Sequence, residues 1–171
     1  LGIPILRTLS GSALMEGGSF AWINERTAVI GCGIRVNREG AEQVGEVLKR
    51  QGVELLIIDL FGYDLHIDGS FQMISKDLAI VDPFGLPYSF LQKLKELNVQ
   101  TVEISPADDR WIINSLAVAP GELLMPEGAS NQTLDALAKH GVSWTVVPYG
   151  KMQLNGGGIH CSTTPLIRDP V

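Results

Sequence analysis

The apolar and polar positions of this chain form a pattern that returns after 51 residues. Residues 18–30 align without gaps with residues 69–81. Each segment reads as a strand, a two-residue polar turn and a second strand, with the turns at residues 25–26 and 76–77. Apolar runs separated by two polar residues are typical of hairpins. The pattern therefore predicts one β-hairpin in each copy.

A helix and a closing strand are predicted after each hairpin. Apolar residues recur at helical spacing from Arg38 to Arg50, with Asn37 as a candidate N-cap and Gly52 as the stop. The second copy has the same spacing at Phe90, Leu91, Leu94 and Leu97. Short apolar runs at residues 54–60 and 99–104 predict the closing strands. Each copy is therefore a ββαβ repeat.

A third, weaker copy follows. We predict strands at residues 115–119 and 122–125, a helix at residues 131–140 and a strand at residues 143–147. Residues 158–166 resemble the opening of a fourth copy. Repeats of about 45–50 residues indicate propellers, solenoids or other modular arrays.

Three and a half copies do not close a ring of such repeats. We therefore interpret residues 1–171 as a single α/β domain that is the C-terminal part of a larger propeller. We expect either a segment before Leu1, which could be attached or retained as a cleaved partner, or a homo-oligomer.

Composition and charge narrow the class of protein. The net charge of −6 disfavours a nucleic-acid partner, because such surfaces are usually basic. The sequence has no apolar run of membrane-spanning length and no recognisable signal peptide, so we expect a cytoplasmic protein without a membrane partner. Two cysteines make no disulfide framework. Cys32 follows a predicted strand, and we interpret it as structural.

The reactive side chains cluster in glycine-containing segments. Three consecutive glycines at residues 156–158 lead to Cys161, and Glu16 precedes two further glycines. His66 and Asp68 stand just before another glycine. A thiol with an acid/base group and carboxylates suits covalent catalysis. We expect residues 158–166 to be extended, which would turn the neighbouring His160 away from Cys161 and leave it a structural role.

Four motifs resemble the guanidine-modifying pentein superfamily, which includes the arginine deiminases, agmatine deiminases and amidinotransferases. They occur in the family's order over almost the whole chain. The motifs are Met15-Glu16-Gly17-Gly18, His66-Ile67-Asp68, the segment at residues 115–121, and Gly158-Ile159-His160-Cys161. The resemblance implies a pentein-type propeller of five ββαβ repeats around a central site.

The resemblance also implies roles for individual residues. Cys161 would be the nucleophile that attacks the guanidinium carbon, and His66 the general acid and base. Glu16 and Asp68 would hold the guanidinium nitrogens, as charge-assisted pairs of this kind do. Arg35 falls where arginine deiminases bind the α-carboxylate of the substrate. Asn114 lies near a position that contacts substrate in relatives, and the chemistry needs neither a metal nor an organic cofactor.

Three departures from the arginine deiminase pattern leave the identity of the substrate undetermined. Ser19 stands where arginine deiminases usually have Asp, residues 155–157 lack the arginine that deiminases place before the cysteine, and no Phe-Thr-Arg-Asp motif is present. The favoured function is a cysteine-dependent hydrolase of a small guanidino compound, arginine or a derivative. The alternatives are an amidinotransferase and a non-catalytic ligand-binding or scaffold member of the same fold.

Overall fold

The chain forms three successive ββαβ repeats, each with its own three-stranded sheet. The computed structural model describes residues 2–167. The first repeat comprises β1 (Phe20–Asn24), β2 (Thr27–Cys32), α1 (Arg38–Arg50) and β3 (Glu54–Asp59). The second comprises β4 (Phe71–Ser75), β5 (Leu78–Val81), α2 (Tyr88–Glu96) and β6 (Gln100–Glu103). The third comprises β7 (Leu116–Ala119), β8 (Glu122–Pro126), α3 (Asn131–Lys139) and β9 (Ser143–Val147), and α4 (Gly150–Gln153) follows it.

All three sheets share one topology. The first two strands pair antiparallel as a hairpin, and the third strand pairs parallel with the middle one. The middle strands β2 and β5 are buried along their whole length, which explains their continuous apolar runs. The turns lie between β1 and β2 and between β4 and β5, at the residues that the sequence predicted. The predicted α/β fold of ββαβ repeats is confirmed.

The contacts divide the chain into two compact units, with the first ending at Ile67 and the second beginning at Asp68. In the first unit, α1 has the predicted bounds and the predicted cap, since the Asn37 side chain accepts a hydrogen bond from the Gly40 N–H at 2.8 Å. The same side-chain oxygen also accepts from the Leu14 N–H at 3.0 Å. This second bond ties the segment that leads to Glu16 onto the start of the helix.

The second unit contains the other two repeats around one apolar core. Side chains from β4, β5 and β6 pack with those of β8 and α3, and the largest fully buried ones include Ile74, Ile80, Leu123 and Leu137. Burial of such side chains is the main source of stability in a domain of this size. Within residues 2–167, no helix has the length and apolar character needed to cross a membrane.

The fourth copy differs from its prediction. Residues 158–166 were expected to open with an extended segment, but His160–Ser162 is a 3-10 helix and residues 158–167 contain no strand. A short 3-10 helix also precedes each complete hairpin, at Gly17–Ser19, Ile67–Gly69 and Arg110–Ile112. The described part of the fourth copy therefore consists of this turn alone.

Candidate active site

The predicted site residues share one position in the repeat. Glu16 is the N-cap of the first 3-10 helix, and Asp68 lies within the second. Asn114 follows the third, and Cys161 lies within the fourth. The candidate site residues thus lie in or beside the 3-10 turns that precede the first strand of each repeat. Each compact unit contains some of them.

In the first unit, Glu16 orients His66. Its Oε2 lies 2.6 Å from His66 Nε2, and its Oε1 lies 3.5 Å from Arg35 Nη1. Both carboxylate oxygens therefore have partners. The contact of Glu16 with the imidazole was not anticipated, and its contact with the substrate guanidinium stays a prediction. Arg35 is half exposed, and its contact with a substrate carboxylate stays a prediction.

Close packing by glycine and serine fixes the position of His66. A Cβ at Gly18 would lie 2.8 Å from His66 Nδ1 and 2.9 Å from its Cγ, so only glycine leaves room for the ring. Ser19 is fully buried and donates a hydrogen bond from Oγ to the Leu65 carbonyl at 3.3 Å. The small residue that follows the two glycines therefore anchors the residue before His66.

In the second unit, Asp68 lies directly beside the candidate nucleophile. Cys161 Sγ is 3.4 Å from Asp68 Oδ2, and His160 Nδ1 is 3.1 Å from the same oxygen. Asp68 is buried, with 6% of its side chain exposed. The structure thus brings Cys161 and Asp68 together as predicted. The extended geometry predicted at His160 was wrong, because this residue lies in a 3-10 helix with its ring turned toward Asp68; its structural role stays a prediction.

Asn114 holds this arrangement in place. Its side-chain nitrogen donates to the Asp68 carbonyl at 3.2 Å, and its side-chain oxygen accepts from the Cys161 N–H at 3.1 Å. Its own carbonyl accepts from the His160 N–H at 3.0 Å. Asn114 is only 1% exposed, so here it is a positioning residue. A direct contact between Asn114 and substrate stays a prediction.

The surroundings of Cys161 oppose ionisation in the ligand-free protein. Desolvation by burial raises the pKa of the thiol above its ordinary value of 9.0, and the negative charge of Asp68 raises it further. Hydrogen bonds from the Gly158 backbone and the Asn114 side chain act in the opposite direction. A cation placed against Asp68 would therefore favour the thiolate, which is the nucleophilic form.

Several contacts around Cys161 were not visible in the sequence. Ser162 donates from Oγ to the Gly158 carbonyl at 3.0 Å, and Tyr149 donates to Ser162 Oγ at 2.5 Å. A Cβ at Gly158 would lie 2.2 Å from Asn114 Oδ1, so the last of the three glycines is required by this close approach. The glycine run itself was the only sequence signal for this packing.

The second thiol has different surroundings. Cys32 ends β2 and is buried in an apolar cluster with Ile30, Val36 and Ala41. Burial raises the pKa of the Cys32 thiol as well. These contacts fit the structural role predicted for it. Among residues 2–167, no group of three or more His, Cys, Asp or Glu side chains is arranged to hold a metal ion.

Comparisons with known proteins agree with this architecture. No protein-family model matches the chain. An arginine deiminase from Listeria welshimeri is 25% identical over 206 aligned residues, which cover 98% of this chain and 50% of the relative. The chain thus spans about half the length of the curated relatives that it matches.

Two solved structures share the fold. DDAH from Pseudomonas aeruginosa, a mutant in complex with citrulline, matches 90% of this chain and 56% of its own with a TM-score of 0.73 at 18% identity. The amidinotransferase SxtG from Microseira wollei matches 90% of this chain and 48% of its own with a TM-score of 0.77 at 17% identity. At such identities the structures establish the fold alone.

The ββαβ repeats, the order of the motifs and these matches lead to one conclusion. The predicted resemblance is confirmed: this chain has the pentein fold, is similar in sequence to arginine deiminases and shares its fold with DDAH and an amidinotransferase.

Proposed function

We propose that this chain carries the catalytic cysteine of a hydrolase that acts on the guanidino group of a small molecule, arginine or a derivative. The observation that carries the proposal is the buried carboxylate of Asp68 at 3.4 Å from the Cys161 sulfur. A carboxylate binds a guanidinium through charge-assisted hydrogen bonds and would place its carbon next to the thiol. The curated relatives named arginine deiminase support the same substrate class.

In the proposed reaction, the bound cation offsets the charge of Asp68 and thereby favours the thiolate of Cys161, whose proton is released to solvent while His66 enters the reaction as the protonated imidazolium. The sulfur attacks the guanidinium carbon, a C–S bond forms, and the electron pair of the C=N bond moves to nitrogen. Collapse of this adduct breaks a C–N bond. His66, oriented by Glu16 at 2.6 Å, gives a proton to the departing amine, because an unprotonated amine is a poor leaving group.

The second half of the proposed reaction consumes water. The covalent intermediate carries an amidino group on the sulfur of Cys161. His66, now the base, takes a proton from water as the oxygen attacks this carbon. The C–S bond then breaks and returns the thiolate. The overall products are a ureido compound and ammonia, or a methylamine when the departing nitrogen is methylated, and apart from water every step uses groups of the protein chain.

The experiment supplies arginine, agmatine and methylated arginine to the purified protein and quantifies the ureido product together with the released ammonia or methylamine. Quenching in acid, followed by peptide mass analysis, looks for added mass on the Cys161 peptide. We expect both products and the adduct, and neither product with Cys161→Ser. An acceptor amine in a parallel reaction tests the amidinotransferase, which would form the adduct but transfer the amidino group. Absence of both product and adduct would favour a non-catalytic member of the fold.

A further inference from the structure

His160 is a titratable side chain at the candidate site that the proposed reaction does not use. Its Nδ1 lies 3.1 Å from Asp68 Oδ2, the same oxygen that lies 3.4 Å from the Cys161 sulfur. One carboxylate oxygen of Asp68 therefore contacts the side chains of two neighbouring residues. The His160 ring is one-quarter exposed, so it can exchange protons with water.

The local backbone makes this sharing possible. Residues His160–Ser162 form a 3-10 helix, in which successive side chains are about 120° apart rather than on opposite faces. The N–H groups of His160 and Cys161 both bond to Asn114, at 3.0 Å and 3.1 Å. Asn114 thus holds the backbone of both residues, and both side chains point to the carboxylate of Asp68.

The electrostatic consequence concerns the thiolate. Among the described residues of the second unit, Asp68 Oδ2 contacts two ionisable groups, His160 and Cys161, and Cys161 also has neutral hydrogen-bond partners in Asn114 and the Gly158 backbone. A carboxylate 3.4 Å from sulfur opposes a second negative charge. An imidazole that donates from Nδ1 to the same oxygen counteracts this opposition, and the imidazolium form does so with a full positive charge.

We propose that His160 is a positioning residue that holds Asp68 Oδ2 and offsets its charge, so that Cys161 can ionise beside a carboxylate. The inference rests on the proposed function in one respect, namely that Cys161 is the nucleophile. His160 lies in the second unit and is distinct from His66, whose contact in the first unit is with Glu16. His160 acts through Asp68 and has no direct step in the reaction.

The test measures the thiolate of Cys161 without any guanidino compound. Alkylation by neutral iodoacetamide is followed as a function of pH in a Cys32→Ala background, so that Cys161 is the thiol observed. His160→Leu removes both the donor and the charge, whereas His160→Asn keeps a donor near the position of Nδ1. His140→Leu is the matched control, because His140 is the C-cap residue of α3. Thermal melting confirms that each variant is folded.

We expect His160→Leu to slow alkylation at neutral pH by about threefold to tenfold and to move the pH midpoint upward, since the reaction follows the thiolate fraction. His160→Asn should restore part of the rate, and His140→Leu should match the parent. In an Asp68→Asn background, His160→Leu should have no further effect, because the charge that it offsets is gone. If Asp68→Asn does not fold, the comparison of His160→Leu with His160→Asn tests whether the hydrogen-bond donor of His160 promotes ionisation of Cys161.

Equal alkylation profiles for the parent and both His160 variants would overturn the proposal. So would a loss with His160→Leu that persists undiminished in the Asp68→Asn background, because His160 would then act by another route. The outcome is separable from that of the proposed function. A protein that shows the expected alkylation pattern but converts no guanidino compound would contradict the hydrolase and leave the role of His160 standing.

Discussion

The two compact units hold their reactive side chains in different ways. In the first unit, His66 is fixed by a hydrogen bond with the half-exposed Glu16 and by the absence of a side chain at Gly18. In the second unit, Cys161 and Asp68 are fixed by a buried amide, Asn114, that bonds to both. Buried hydrogen-bonded groups are more costly to disturb than contacts that reach solvent. The comparison indicates that the thiol side depends on buried hydrogen bonds, whereas the imidazole side depends on a half-exposed carboxylate and on close packing.

The largest expected effect separates the two thiols. Cys161→Ser should lower turnover of the guanidino substrate by at least about three orders of magnitude, because a hydroxyl is a much weaker nucleophile at neutral pH. Cys32→Ala is the matched control and should keep kcat/KM within about twofold, since Cys32 lies in an apolar cluster. Steady-state kinetics measures both. A comparable loss in the two variants would reverse their assignment.

The second effect tests the thiol side of the comparison, which Asn114 holds. Asn114→Ala removes the bonds to the Asp68 carbonyl and the Cys161 N–H and should lower kcat by about a hundredfold, because small misplacements of reacting groups are costly. It should also lower the melting temperature, since buried polar groups lose their partners. Asn131→Ala, at the exposed start of α3, is the control. An unchanged kcat would mean that the amide does not position the thiol.

The third effect tests the imidazole side of the comparison, which Glu16 holds. Glu16→Gln should lower kcat by about tenfold, because a neutral amide orients His66 less strongly and does not stabilise its cation. Arg35→Gln breaks the other contact of Glu16 and should act mainly on KM if Arg35 binds the substrate carboxylate. Kinetic constants for both variants make the distinction. A pure KM effect of Glu16→Gln would instead support the prediction that Glu16 holds the guanidinium.

The fourth effect uses two adjacent glycines. Gly18→Ala should lower kcat by about fivefold to tenfold, because the new Cβ would overlap the His66 ring and displace it. Gly17→Ala is the matched control, since a Cβ there meets nothing within 4 Å. The ratio of the two kcat values isolates the steric contribution. Equal values for the two variants would show that the imidazole is free to move aside.

The smallest effect concerns stability against pH. Burial raises the pKa of Cys32 above 9.0, so the unfolded chain releases this proton at a lower pH than the folded protein. The contribution of Cys32 to stability is therefore complete below pH 9.0 and declines as the pH rises through that value toward the folded pKa. Urea unfolding between about pH 8 and pH 10 should show the wild type losing stability faster than Cys32→Ala. Parallel curves would contradict this assignment.

The repeats and their bounds follow from the sequence alone. The hairpin turns of the first two copies, the helix from Arg38 to Arg50 and the cap at Asn37 were predicted as the structure has them, although the first strand of each hairpin begins two residues later than predicted. The closing strands β3 and β6 differ by one or two residues at their ends. These features depend on neighbours within a few positions, through strand alternation, helical spacing and capping, so one sequence is enough to predict them.

The site could be predicted from the sequence only in part. The reactive residues stood out because glycines flank them, and the family resemblance gave them roles. It did not show that Glu16 contacts His66, that Asn114 is a buried support, or that His160 shares Asp68 with Cys161. It also placed an extended segment where the structure has a 3-10 turn.

The physical reason for this division is distance along the chain. Glu16 and His66 are 50 residues apart, Asn114 and Cys161 are 47 apart, and Asp68 and Cys161 are 93 apart. No local pattern encodes such contacts, because they form only when the repeats bring their first turns to fixed positions. The sequence by itself determined which residue types stand at those turns. Only the tertiary structure decided which oxygen, nitrogen and sulfur atoms meet.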